Sequence, residues 1–247
     1  MKLLTEDEIR GILRAADDII AAGGRTLLAK ILKGSREKKV LQLGLNACPV
    51  YGYFKSEKLD AVLDKIDWMI DHDFLDIEYS GKLPMIIFTE RGWEIERDQR
   101  ADEFINEWDQ WLAAGKESPD MYYLKDRNRG MIWLLLDKIQ ETGSKKYIPY
   151  LREWEKIDYK KVRARIQQVI RVLESGVPDD GKTAVNRNDA INEALKGSEP
   201  NDIDLRCIEC GDYFTFTVGE QQFYKRMGFV HPRRCESCRE KRDLEFF

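Results

Sequence analysis

Four of the five cysteines fall into two CxxC pairs, Cys207-Ile-Glu-Cys210 and Cys235-Glu-Ser-Cys238, with twenty-four residues between them. A CxxC turn aims two thiolates at one centre. Two such turns supply the four sulfurs of a tetrahedral site that suits Zn²⁺ and leaves no coordination position open for chemistry. Two disulfides would need an oxidising compartment, and no secretory leader is evident; a redox CxxC would sit once in a βαβ unit rather than twice in a Lys/Arg-rich tail. We therefore expect one structural zinc ion on Cys207, Cys210, Cys235 and Cys238, with the metal supplying much of the local folding energy. Cys48 lies in the apolar stretch Leu45-Asn-Ala-Cys-Pro-Val50 with no Cys or His nearby, which predicts a packing residue rather than a nucleophile.

Other chemistry is poorly provided for. His72 and His231 are the only histidines and are too far apart in sequence to form a local acid–base pair. The carboxylates fall in solvated stripes rather than in a dyad beside a nucleophile. Gly176-Val-Pro-Asp-Asp-Gly181-Lys182-Thr183 satisfies the P-loop pattern, but the residues before it have helical spacing and the loop itself holds two acids that would repel phosphate. We read no active site and no enzyme.

Charge is unevenly placed. The chain has 247 residues, a net charge of −4 and 35% charged residues. Residues 23–58 hold eight bases against two acids, a balance of +6, and residues 225–242 hold seven bases against two acids, a balance of +5. Between them, residues 59–80 carry seven acids and only Lys65. Such segregation suits docking on a polyanion better than the total charge suggests. No apolar run is long enough to span a bilayer, so we read a soluble, cytoplasmic protein with no membrane partner.

The elements that must position these residues follow from periodicity. Residues 5–22 read as a helix with a Thr5/Glu8 capping box, residues 25–33 as a second helix stopped by Gly34-Ser35, and a basic irregular segment runs to Phe54. Ser56 is expected to cap a third helix with Leu59, Val62, Leu63, Ile66, Met69 and Ile70 inside and Asp60, Asp64, Asp67 and Asp71 outside. Phe74–Tyr79 and Met85–Phe88 read as a hairpin. Three helices followed by a hairpin is the order of a winged helix.

Gly24-Arg-Thr-Leu-Leu-Ala-Lys-Ile-Leu-Lys-Gly-Ser35, Tyr51-Gly52, and the run from Ser56 through Phe88-Thr-Glu-Arg-Gly92 resemble the RQC domain, the winged helix at the C-terminus of RecQ helicases. No motor domain is expected ahead of it in this sequence, so the resemblance implies duplex or junction binding and not unwinding. Downstream, an acidic stretch over 94–120 leads to helices near 101–114, 128–142, 146–156 and 158–175, whose paired pattern is similar to a HEAT-type helical repeat. Residues 177–205 read as a polar linker with a short helix near 188–195. The tail, Cys207-x-x-Cys-Gly-x-x-Phe-x-Phe-Thr-x-Gly-Glu-Gln-x-Phe-Tyr224, then Gly228-Phe229, Pro232, Arg234 and Cys235-x-x-Cys-Arg239, resembles a zinc-ribbon family.

The expected architecture is mainly α with small β elements: a winged helix over 1–97, a helical domain over 98–176, a linker, and a zinc ribbon over 206–247. DNA, at a duplex end or junction, is the leading partner. RNA or a ribosome is the alternative, and the helical middle could serve a protein partner. The candidate nucleic-acid contacts are Arg25, Lys30, Lys33, Arg36, Lys38, Lys39, Tyr51, Tyr53, Lys55, Ser56, Lys58, Lys82, Arg233 and Arg234. The acidic stripe of the third helix would be repelled from a groove, which moves the expected contact to the helix start and the 33–39 segment.

Overall fold

The computed structural model describes residues 3–81, 83–176, 181–227 and 229–245. They fall into two units, one made of the N-terminal 92 residues with residues from 197 onward, the other of residues 93–196. The sequence-predicted linker therefore divides between them.

In the first unit, α1 spans Glu6–Asp17 and opens with the expected capping box, in which Thr5 accepts from the Glu8 amide and Glu8 accepts from the Thr5 amide. It stops five residues before the expected end. The chain needs residues 21–23 for another purpose: the Ala21 amide donates to Ile86 O and the Ile86 amide donates to Gly23 O, so this segment lies along the hairpin edge. Helix α2 spans Arg25–Lys33, α3 spans Lys38–Gln42 and α4 spans Leu59–Asp71. Val62, Ile66 and Met69 of α4 are fully buried, each contributing about 1.5–3 kcal/mol relative to exposure. Ser56 is not the cap of α4. Residues 55–57 are still turning beside the buried Phe54, so Lys58 takes the N-cap position and no side chain caps the helix. Strands β1 (Leu75–Ser80) and β2 (Leu83–Phe88) form the antiparallel wing, in register Leu75 with Phe88 and Ser80 with Leu83.

Two motifs that looked like family signatures have local physical causes. Gly34 (φ +74°) caps α2 in the left-handed region, and Gly52 (φ +76°) crosses it so closely that a β-carbon on Gly34 would lie 3.0 Å from Gly52 Cα. Thr89 Oγ1 accepts from the Gly92 amide and donates to Asp73 O. This caps α5, which runs unbroken over Glu90–Ala113 rather than starting near 101.

The second unit packs the rest of α5 with α6 (Arg129–Glu141), α7 (Ile148–Ile157), α8 (Lys160–Ser175) and α9 (Lys182–Leu195). Trp108 and Trp154 meet edge to face at its centre, with Trp108 Nε1 donating to Tyr123 Oη and Trp154 Nε1 to Asp158. Lys138 is buried yet paired, 2.7 Å from Asp98 and 2.6 Å from Asp102, as an interior charge must be. Because α8 leads directly to Gly176, no strand feeds the P-loop-like segment; residues 177–180 lie outside those described.

Back in the first unit, β3 (Ile203–Arg206) and β4 (Tyr213–Phe216) form a second hairpin, followed by α10 (Val218–Met227) and α11 (Glu236–Glu245).

Candidate metal centre and nucleic-acid interface

Cys207 and Cys210 sit in the turn between β3 and β4, Cys235 immediately precedes α11, and Cys238 lies in its first turn. The second pair therefore comes from a helix N-terminus, where the dipole favours thiolates. This gives the zinc module a treble-clef form, with one hairpin turn and one helix start as its two arms.

The four sulfurs lie within 4.8 Å of one another, and Cys210 Sγ to Cys235 Sγ is 3.8 Å. Four Zn–S bonds of about 2.3 Å set tetrahedron edges of about 3.8 Å, so the donor set fits the metal in kind and size. Outer contacts are in place too: the Glu209 amide donates to Cys207 Sγ, and Arg234 Nε pairs with Glu209 at 2.6 Å. The Cys210 amide, with those of Cys235 and Glu209, brings the Cys207 thiol down to about 6, whereas its neighbour Cys235 holds Cys238 up at about 12. Four clustered thiols do not ionise together without a cation to share. One structural Zn²⁺ belongs here. His231 tilts against the Phe216 ring instead of joining the ligands. Cys48 is buried, and desolvation raises its thiol to about 12, as suits a packing residue.

The candidate nucleic-acid residues separate into two groups. Several are already engaged. Arg25 grips Asp67 through two nitrogens at 2.5 and 2.6 Å, Lys30 pairs with Glu37 at 2.6 Å, and Lys33 Nζ donates to Lys55 O. Tyr51 Oη donates to Ser35 O, and Tyr53 stands edge-on to Phe54, 43% exposed. The second group is exposed and, among the described residues, has no ion pair: Arg36, Lys38, Lys39, Lys55 and Lys58. Ser56 is exposed beside them, and Arg233 is exposed in the treble clef. Lys82 lies outside the described residues.

The structure brings the two basic stretches together. The Gly52 amide donates to Ile31 O, the Phe54 amide to Leu32 O, and the Gly34–Gly52 crossing holds residues 33–36 against residues 51–55. Fifteen residues separate Lys39 from Lys55 in sequence; the glycine crossing brings the backbone stretches that lead to Arg36 and to Lys55 together.

The acidic stripe of α4 is not uniformly solvated. Asp60 and Asp64 are exposed, but Asp67 is held by Arg25, and Asp71 accepts from Gln222 of α10 at 2.8 Å. Lys225 donates to Ile70 O and lies 3.9 Å from Asp76, and Tyr79 Oη donates to Arg226 O. Helix α10 therefore docks on α4 and the wing. Sequence reading missed Gln222, Lys225 and Arg226; the only local hint was a basic tail facing an acidic helix. Burial raises the carboxyls of Asp67 and Asp71 above their ordinary value despite Arg25 and Lys225 beside them.

Residues 5–103 match the RQC domain family and residues 201–245 match the family described as "Probable treble clef domain". The chain carries an RQC domain. The ATP-dependent DNA helicase RecQ of Bacillus subtilis is 32% identical over 69 residues, which cover 28% of this chain and 12% of the helicase. No solved structure matches the chain. The RQC resemblance read from the motifs holds, and the zinc domain expected in the tail is present as a treble clef rather than a ribbon, because the second CxxC pair comes from the start of a helix and not from a second hairpin. No helix among the described residues is long and apolar enough to cross a membrane.

Proposed function

We propose that this chain is a non-enzymatic nucleic-acid-binding protein, with duplex DNA at an end or junction as its leading target. The observation that supports the reading is a set of exposed cations, Arg36, Lys38, Lys39, Lys55 and Lys58, without ion pairs among the described residues, on two stretches whose backbones the Gly34–Gly52 crossing brings together. Long cations without an ion-pair partner are suited to phosphates, whose neutralisation releases counterions and makes binding steeply salt-dependent.

Helix α4 is a poor groove reader, because its outer side is acidic and partly covered by α10. Contacts to backbone should dominate over contacts to base edges, giving affinity with little sequence preference. The zinc ion acts structurally, holding the hairpin and α11 so that α10 keeps its place.

The test is a binding panel of blunt, forked and single-stranded DNA against structured RNA at several salt concentrations, for wild type and for the Arg36→Ala, Lys38→Ala, Lys55→Ala, Lys58→Ala quadruple variant. The variant should bind duplex more weakly and with a log–log salt slope flatter by about 0.9 per lost phosphate contact. Unchanged affinity and slope, or a preference for structured RNA over every DNA, would sink the reading.

A further inference from the structure

A cavity lies where α10 meets α2, α4 and the wing. It is about 390 Å³ in volume, within the range of about 300–1,000 Å³ typical of small-molecule sites. Its apolar surface comes from Ile70 of α4 and from Ile77, Tyr79 and Pro84 of the wing. Its polar surface includes Arg25, Asp67, Asp71, Gln222 and Lys225, which are bound to one another or to nearby backbone and so are fixed in place. Two further cations complete the lining, Lys39 from α3 and Arg226 from α10. Both are exposed, and neither side chain has an ion pair among the described residues.

We propose that this cavity binds a single nucleotide, with its phosphate between Lys39 and Arg226 and its base on the wing beside Asp71 and Gln222. The chemistry narrows the ligand. Lys39 and Arg226, neither in an ion pair among the described residues, favour a compact anion. An aromatic ring and a prolyl ring offer flat apolar contact to a planar group. The fixed carboxylate and amide offer acceptors and donors of the kind a base edge complements. The volume suits one nucleotide rather than an extended chain. The nucleotide could be free or could be the phosphorylated end of a strand; the phosphate-plus-base chemistry is common to both. The proposal deepens the nucleic-acid reading and shares only Lys39 with the basic surface; the quadruple variant leaves Lys39 in place, so the two can fail separately.

The full-length zinc-loaded protein is titrated with 2′-deoxyadenosine 5′-monophosphate, deoxyadenosine and inorganic phosphate, followed by amide NMR shifts and calorimetry. The monophosphate should bind with a Kd of about 1 mM or tighter, shift amides at 24–27 and 222–226, and outcompete either fragment. Arg226→Glu and Lys39→Glu, both at exposed positions, should each weaken it tenfold or more, while Arg226→Lys should retain most of the affinity. The quadruple variant above leaves the cavity intact and should bind the monophosphate normally even where duplex binding is lost. A 5′-phosphorylated oligonucleotide binding tighter than its 5′-hydroxyl twin, with the difference abolished by Arg226→Glu, assigns the cavity to strand ends; no difference between the twins, with the monophosphate still bound, assigns it to free nucleotides. No monophosphate binding at 5 mM, binding indifferent to both charge reversals, or tighter binding of a phosphotyrosine peptide would overturn the proposal.

Discussion

A β-carbon at Gly92 would lie 1.9 Å from Phe74 O, a backbone atom that cannot step aside without moving the wing. Gly92→Ala is therefore expected to cost about 3 kcal/mol, readable as a lowered melting temperature with zinc content unchanged. Gly34→Ala meets a different obstacle, a left-handed φ as well as the Gly52 crossing; the backbone term alone is about 1–2 kcal/mol, and the loss of duplex binding should exceed the loss of stability because the crossing aligns the basic surface. Glu8 provides a pH test. Its burial raises the carboxyl, but hydrogen bonds from Lys65 and Thr5 outweigh burial, so the folded value lies below the unfolded one. Its contribution is then present above the unfolded carboxylate range and lost as pH falls through the folded value. Glu8→Gln should lower the melting temperature at neutral pH, and the gap from wild type should close on acidification below about pH 4.

At the scale of elements, the contact between α10 and α4 links the metal to the winged helix. Cys210→Ser removes one of four sulfurs, and the short treble clef buries little to compensate. Purified wild type should contain about one Zn²⁺ per chain. The variant should lose the metal and the order of α10 while α1, α2 and α4 still unfold cooperatively, as measured by metal analysis and amide exchange. Faster exchange in α4 at Asp67 and Asp71 is expected as α10 leaves. Asp67→Asn should loosen Arg25 rather than simply improve duplex affinity by removing a negative charge, because the carboxylate is that guanidinium's bidentate partner.

For the molecule as a whole, the informative property is where charge remains uncommitted. Net charge is negative, yet Arg36, Lys38, Lys39, Lys55 and Lys58 have no ion pair among the described residues, whereas Asp98, Glu141 and Asp67 are taken up by Lys138, Arg187 and Arg25. The potential outside the protein then follows the free cations, which is why the quadruple variant should change the salt slope and not merely the affinity. The P-loop-like Gly181-Lys182-Thr183 follows a helix instead of a strand, so we expect no ATP hydrolysis. Lys182→Ala should leave nucleotide binding as it is in wild type. Nucleotide binding lost in that variant would restore the P-loop reading.

The zinc ligands, the capping box, the α4 core face and the wing were all determined by sequence alone, since each depends on spacing within one element: three residues for a CxxC turn, 3.6 for a helix, two for a strand. The glycines of the RQC-like motifs were also legible as types, though their reasons, the Gly52 crossing and the Phe74 carbonyl, were not. Only the tertiary structure decided the rest. It ended α1 early so that residues 21–23 could pair with β2, gave Arg25 to Asp67, and brought Gln222 to Asp71 across 151 positions of sequence. No local period encodes such a pairing. An acidic stripe at helical spacing looks the same whether water or another helix covers it, and burial, which decides between the two, is a property of the folded chain.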